Sequence, residues 1–139
     1  MRSTKQILLI VLPLILISLL AKADDLEKLA GTWQLMEMQI NGNSNTKDAA
    51  KYKWVFADGK YTILQNDKKA EVWEVKLSGR SIDSKHHITD RIHGRSLTGI
   101  YELSGDTLKV CYDLEGKSRP DDFQTTPGSR RVLYVLQRK

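Results

Sequence analysis

The sequence predicts an all-β protein: a single eight-stranded antiparallel barrel, preceded by a short N-terminal helical turn. Three observations carry that reading. After Gly31 the apolar residues recur with a period of two, and the helical period does not return. The apolar segments are short and rich in β-branched and aromatic residues. Pairs containing Gly, Asn or Asp separate most of them, which is the spacing of tight hairpins.

The elements follow in order. Over 24–31, Asp24 and Asp25 suit the positive end of a helical turn, Leu26, Leu29 and Ala30 share one face, and Gly31 stops it. A strand over 33–40 ends at Asn41-Gly42, which opens a polar loop reaching about Ala50. Strands over 52–56 and 60–64 flank Asp58-Gly59, the strongest two-residue hairpin signal in the chain. The next strand, 70–77, ends at Ser78-Gly79. Strand 85–92 ends at His93-Gly94, 95–103 ends at Ser104-Gly105, 106–113 follows directly, and 131–138 closes the series. Eight strands with mostly tight connections describe a meander, and eight is the number at which a barrel closes around side chains or one small ligand.

The faces alternate as such a barrel requires. Tyr52, Trp54 and Phe56 oppose Lys51, Lys53 and Ala57; Trp73, Val75 and Leu77 oppose Glu74 and Lys76; Leu108, Val110 and Tyr112 oppose Lys109, Cys111 and Asp113. The last strand is apolar on both parities from Val132 to Leu136, so its outer face needs a cover, either the N-terminal turn or the loop over 114–130. That loop is the one long connection, and Phe123, Pro120 and Pro127 argue that it is ordered and pinned to the barrel.

Residues 1–23 read as a signal peptide. Arg2 and Lys5 form a positive start, the 14 residues from Ile7 to Leu20 are apolar apart from Ser18, and Ala21-Lys22-Ala23 has the small-x-small cleavage pattern. Fourteen helical residues span about 21 Å, short of a hydrocarbon core of about 30 Å. Cleavage after Ala23 leaves 24–139 as one domain, secreted or periplasmic, with no stable membrane insertion afterwards. The chain carries 22 Lys+Arg against 17 Asp+Glu; losing Arg2, Lys5 and Lys22 brings the balance from +5 to +2, which removes the compositional case for nucleic acid. A single cysteine excludes an internal disulfide.

Two motifs carry a resemblance. Gly31-Thr32-Trp33 at the start of strand one resembles the G-x-W signature of lipocalins. Together with the run Gly99 to Cys111, Arg119-Pro120, Phe123 and Pro127-Gly128-Ser129, it is similar to a family of small exported bacterial proteins with a lipocalin-like domain. The resemblance implies an eight-stranded barrel-like fold and no reaction. It further implies that Trp33 sits at the closed end under a basic residue of the last strand, Arg138 or Arg131, a structural contact worth about 0.5–2 kcal/mol.

No constellation of catalytic residues emerges. His86 and His87 point to opposite faces, and His87 and His93 lie about 20 Å apart if they share one strand, so exposed histidines and no metal are expected. Cys111 has no histidine beside it and reads as a packing residue. Asp121, Asp122 and Glu115 read as a solvated loop with Arg119 as their ion-pair partner, and Arg119, Arg130, Arg131, Arg138 and Lys139 as a solvated positive face. The expectation is a monomeric, non-enzymatic binding protein without a cofactor. It holds a small apolar or amphipathic ligand against Tyr52, Trp54, Phe56, Trp73, Val75, Tyr101 and Leu103. The alternative is a barrel packed solid by those same residues, acting as an interaction domain that binds another exported protein through the 114–129 or 41–50 loop. Cavity volume separates the two.

Overall fold

The computed structural model describes residues 25–89 and 92–139; the signal-peptide reading of 1–23 lies outside them. A short helix over 25–29 leads into nine strands: β1 (Gly31–Ile40), β2 (Asn43–Asn45), β3 (Tyr52–Ala57), β4 (Lys60–Gln65), β5 (Lys68–Ser78), β6 (Ser81–Thr89), β7 (Ile92–Ser104), β8 (Thr107–Asp113) and β9 (Arg131–Arg138). From β3 to β9 each strand pairs antiparallel with the next, β1 pairs with β3, and the β1–β9 pairing closes an eight-stranded barrel. β2 is an additional three-residue strand on the end of β1, inside what the sequence presents as a polar loop.

The β3–β4 hairpin turns at Asp58-Gly59 and the β4–β5 hairpin at Asn66-Asp67; all four residues have positive φ, as a type I′ turn demands. The β6–β7 hairpin departs from expectation. Its pairing continues to Thr89–Ile92 and runs through His93-Gly94, so His87 and His93 become Cα partners on adjacent strands, and the 20 Å separation does not apply. The glycine after His93 imitates a turn signal inside what is a 13-residue strand.

Two bulges set which residues face inward. Met36 is the extra residue of β1 against β9; it is 46% exposed, and it lets both Leu35 and Met38 point into the barrel opposite Leu136 and Tyr134. Ala70 plays the same part in β5, between the pairs Ile63–Glu71 and Leu64–Lys69.

The main core lies inside the barrel, from Trp33 and Leu35 through Trp54, Tyr61, Trp73, Ile82 and Tyr112 to Leu136. A second cluster lies outside the wall, where Ile100, Cys111 and Leu133 are covered by Phe123 of the 114–130 loop. The loop, not the helix, therefore covers the outer face of β9. It is started by Asp113, whose carboxylate accepts N–H bonds from Glu115, Lys117 and Ser118. It is tied to the β1–β2 turn by Gly42 N–H donating to Thr125 Oγ1 at 2.9 Å and Arg130 N–H to Asn41 Oδ1 at 3.1 Å. The helix spans 25–29, and of Leu26, Leu29 and Ala30, expected to share one face, only Leu29 is buried.

Candidate functional site

The half of the barrel nearer the helix is filled. Phe56, Tyr61, Trp73 and His86 are successive register partners across β3 to β6, so one inward layer is a row of rings. Tyr61 lies between Trp54 (centroids 4.6 Å apart, planes 2° apart) and Trp73 (6.3 Å, 12°), and Trp73 stacks on His86 at 4.6 Å. Polar atoms inside this layer satisfy one another. Tyr61 and Tyr112 hydroxyls are 3.2 Å apart, and Ser84 Oγ is 2.5 Å from Tyr112. Burial drives the phenol pKa of both tyrosines well above the ordinary value. The wall behind Tyr112 depends on Gly99: a Cβ there would press on the Cys111 carbonyl and lie 2.6 Å from the Tyr112 ring.

The closed end is sealed by Trp33, which donates from Nε1 to Leu29 O at 2.8 Å, and by Arg138, whose guanidinium lies 4.4 Å from the Trp33 ring. Arg138, rather than Arg131, covers the indole. Tyr101 adds a tie by donating its hydroxyl to Asp25 at 2.9 Å; burial and that carboxylate push its pKa to about 12.

The opposite half of the barrel is open. A cavity of about 250 Å³ is lined by Leu35 and Met38 of β1, Tyr52 and Trp54 of β3, Ile63 and Gln65 of β4, Ala70 and Glu71 of β5, and Tyr134 of β9. Trp54 is its floor, since the ring beneath it is the stacked Tyr61. Tyr134 meets the Trp54 ring edge-on at 4.8 Å. Burial, with the Glu71 charge adding to it, pushes the Tyr134 phenol up to about 12. Glu71 faces inward because it shares parity with Trp73, and Trp73 Nε1 donates to its Oε2 at 2.9 Å.

Of the residues expected to hold a ligand, the structure brings Tyr52 and Trp54 to this cavity. Phe56, Trp73, Val75, Tyr101 and Leu103 also belong to the barrel core, but they pack below the cavity instead of lining it. Phe56 faces a separate hollow of about 210 Å³ beside the helix. Sequence reasoning missed Leu35, Met38, Ile63, Gln65, Glu71 and Tyr134. Parity counted from Trp33 reaches Leu35 and from Trp73 reaches Glu71, while Met38 needs the Met36 bulge, which leaves no mark in the sequence.

Of the remaining candidates, Cys111 packs and His87 is exposed as expected, while His86 and Arg119 are placed differently. His86 is inside the barrel on Trp73, not exposed on a strand. Among the described residues no cluster of three His, Cys, Asp or Glu side chains is arranged to hold a metal. Arg119 pairs with Asp83 at 3.0 Å and donates to Gly99 O at 2.7 Å, so it serves the β6–β7 wall rather than the loop aspartates. Asp121 and Asp122 pair with Arg131, and Glu115 with Arg130, which removes the free positive face. Cys111 is fully buried, and burial pushes its thiol pKa to about 11, against the opposing influence of Arg131.

A closed eight-stranded antiparallel barrel, with a G-x-W tryptophan under a basic residue at its sealed end, is a lipocalin-like fold. The chain is similar to the crystal structure of a lipocalin-like protein from Bacteroides uniformis, with a TM-score of 0.52 and 17% identity over 80% of this chain and 98% of that one. No protein-family model and no curated protein sequence matches the chain.

Proposed function

We propose that this chain is an exported, non-enzymatic binding protein that holds a small apolar or amphipathic molecule in the open half of its barrel. The observation that carries the reading is the cavity of about 250 Å³ over Trp54. Its walls are mostly apolar and aromatic, with a few polar groups, Gln65 and Glu71 among them, which is the usual composition of a small-molecule site. The volume lies just below the roughly 300 Å³ at which drug-sized pockets begin, so the occupant is small. The signal-peptide pattern of 1–23 and the resemblance to small exported bacterial proteins support the compartment. The 114–129 loop offers less to a protein partner: Phe123, its one aromatic residue, packs on the barrel wall, and Asp121 and Asp122 are held by Arg131.

The test is a thermal-shift and tryptophan-emission screen of short fatty acids, isoprenoids and small aromatics. A ligand that binds only the native state adds RT ln(1 + [L]/Kd), about 2.7 kcal/mol at one hundred times Kd. The expected result is at least one compound that raises Tm and changes indole emission. A broad panel that moves neither signal overturns the carrier reading.

A further inference from the structure

We propose that the ligand carries a compact cationic head group, a protonated amine by chemistry, and that Glu71 receives it. This rests on the cavity reading above and specifies its ligand class.

Among the described residues, Glu71 is the only charged side chain that lines the cavity. Trp73 Nε1 holds one carboxylate oxygen in place at 2.9 Å. None of the ion pairs among the described residues involves Glu71. Among the described residues this half-buried carboxylate has no counter-ion, and a cation placed in the cavity would pair with it. The walls favour the same sign. Trp54, Tyr52 and Tyr134 line the same cavity, and aromatic ring faces attract cations. Leu35, Met38 and Ile63 then receive the apolar remainder of the molecule.

The cations near the mouth do not cancel this arrangement. Arg95 of β7 is near enough to act on Tyr134, but it is exposed and its guanidinium donates to Leu114 O at 2.7 Å. Lys69, His86 and His87 line a second hollow, of about 430 Å³, which shares Ala70 and Glu71 with the cavity, but none of the three lines the cavity itself. An anionic head group would have to lie against Glu71, so a fatty acid is disfavoured in this orientation.

Three probes of one shape separate the cases: phenylethylamine, 2-phenylethanol and 3-phenylpropionate, titrated against the purified protein and read by tryptophan emission and calorimetry. The expected order is amine tightest by about tenfold over alcohol, with carboxylate weakest, and the amine affinity should fall as salt is raised. Glu71→Gln keeps the shape and an acceptor for Trp73, and it should bring the amine to within about threefold of the alcohol. Circular dichroism verifies its fold, and the wild-type order decides the matter should that variant misfold. Equal binding of the three probes, or a preference that survives Glu71→Gln, overturns the head-group assignment and leaves the cavity reading standing. Tightest binding of the carboxylate assigns the head group to Arg95 and also overturns it. Binding of none of them, to either protein, removes the cavity reading as well.

Discussion

Arg138 stands over Trp33 across the β1–β9 seam, with its guanidinium carbon 4.4 Å from the ring centroid, and the two residues are register partners. Both also reach the backbone of the N-terminal segment: Trp33 donates to Leu29 O, and Arg138 to Lys28 O at 2.5 Å and Ala30 O at 3.2 Å. One contact thus closes the barrel, seals its end and anchors the helix. The exposed Arg138–Asp106 ion pair at 3.4 Å adds little.

Trp33→Ala should cost about 3–5 kcal/mol, the range for an aromatic side chain truncated in a core. Arg138→Gln should cost about 1–3 kcal/mol, combining a cation–ring contact with hydrogen bonds to backbone carbonyls. Chemical denaturation measures both. A loss below about 1 kcal/mol for Trp33→Ala would mean that the indole does not seal the barrel.

The Tyr61, Ser84 and Tyr112 hydroxyls form a closed network around Tyr112. Tyr112→Phe should therefore cost about 1–3 kcal/mol, because it strands two buried hydroxyls at once. Tyr61→Phe should cost less, since the Ser84–Tyr112 bond survives. If the two variants are equally stable by urea titration, the network is not centred on Tyr112.

The same burial sets an alkaline limit. Tyr101 and Tyr134 have folded pKa values pushed to about 12, and Tyr61 and Tyr112 are also raised, against an ordinary value of about 10. The raised phenols favour the fold fully below pH about 10. Above it the unfolded chain ionises first, so stability should fall between pH about 10 and about 12. Phenolate absorbance of the native protein should lag behind that of the urea-unfolded chain. Coincident titration curves would contradict the buried placement.

The sequence reveals the fold further than it reveals the site. Alternation in β3, β5 and β8 puts Trp54, Trp73 and Tyr112 on the inner face, and Asp58-Gly59 forms the turn it signals. The failures have local causes. Asn43–Asn45 is polar and has no periodicity, so its pairing to β1 comes from tertiary context. Gly94 reads as a hairpin turn yet lies within β7. Glu71 sits at an inward parity, but a charged residue on a strand is ordinarily assigned to water, and only the barrel's closure turns its position into part of a cavity wall. Which of two inward aromatics lines a cavity and which fills the core depends on depth along the barrel, and periodicity is blind to depth.

Cys111 faces outward between Ile100 and Leu133 under Phe123, with its thiol pKa pushed to about 11 by burial. Native protein at neutral pH should therefore react with thiol reagents only as fast as the loop opens or the chain unfolds. Cys111→Ala should leave ligand binding unchanged, because the barrel wall separates it from the cavity. Phe123→Ala should accelerate labelling by uncovering the thiol. Rapid labelling of the wild type would show that the loop does not cover it.

A cavity wall and a filled core respond differently to substitution. Trp54 and Trp73 are both inward, both nearly buried, and both within the same train of stacked rings through Tyr61. Only Trp54 lines the cavity. A ligand seated there lies against the Trp54 indole and has Tyr61 between itself and Trp73. Trp54→Phe should therefore remove most of the emission change on binding, while Trp73→Phe should preserve it. Both substitutions retain a ring in the stack, so each should keep the fold, at a cost below that of truncation to alanine. Trp73→Phe also removes the Nε1 donor that orients Glu71, so its amine affinity should fall even though its fluorescence response remains. Equal loss of signal in the two variants would place the ligand deeper than Trp54, in a core that the ring stack leaves no room to enter.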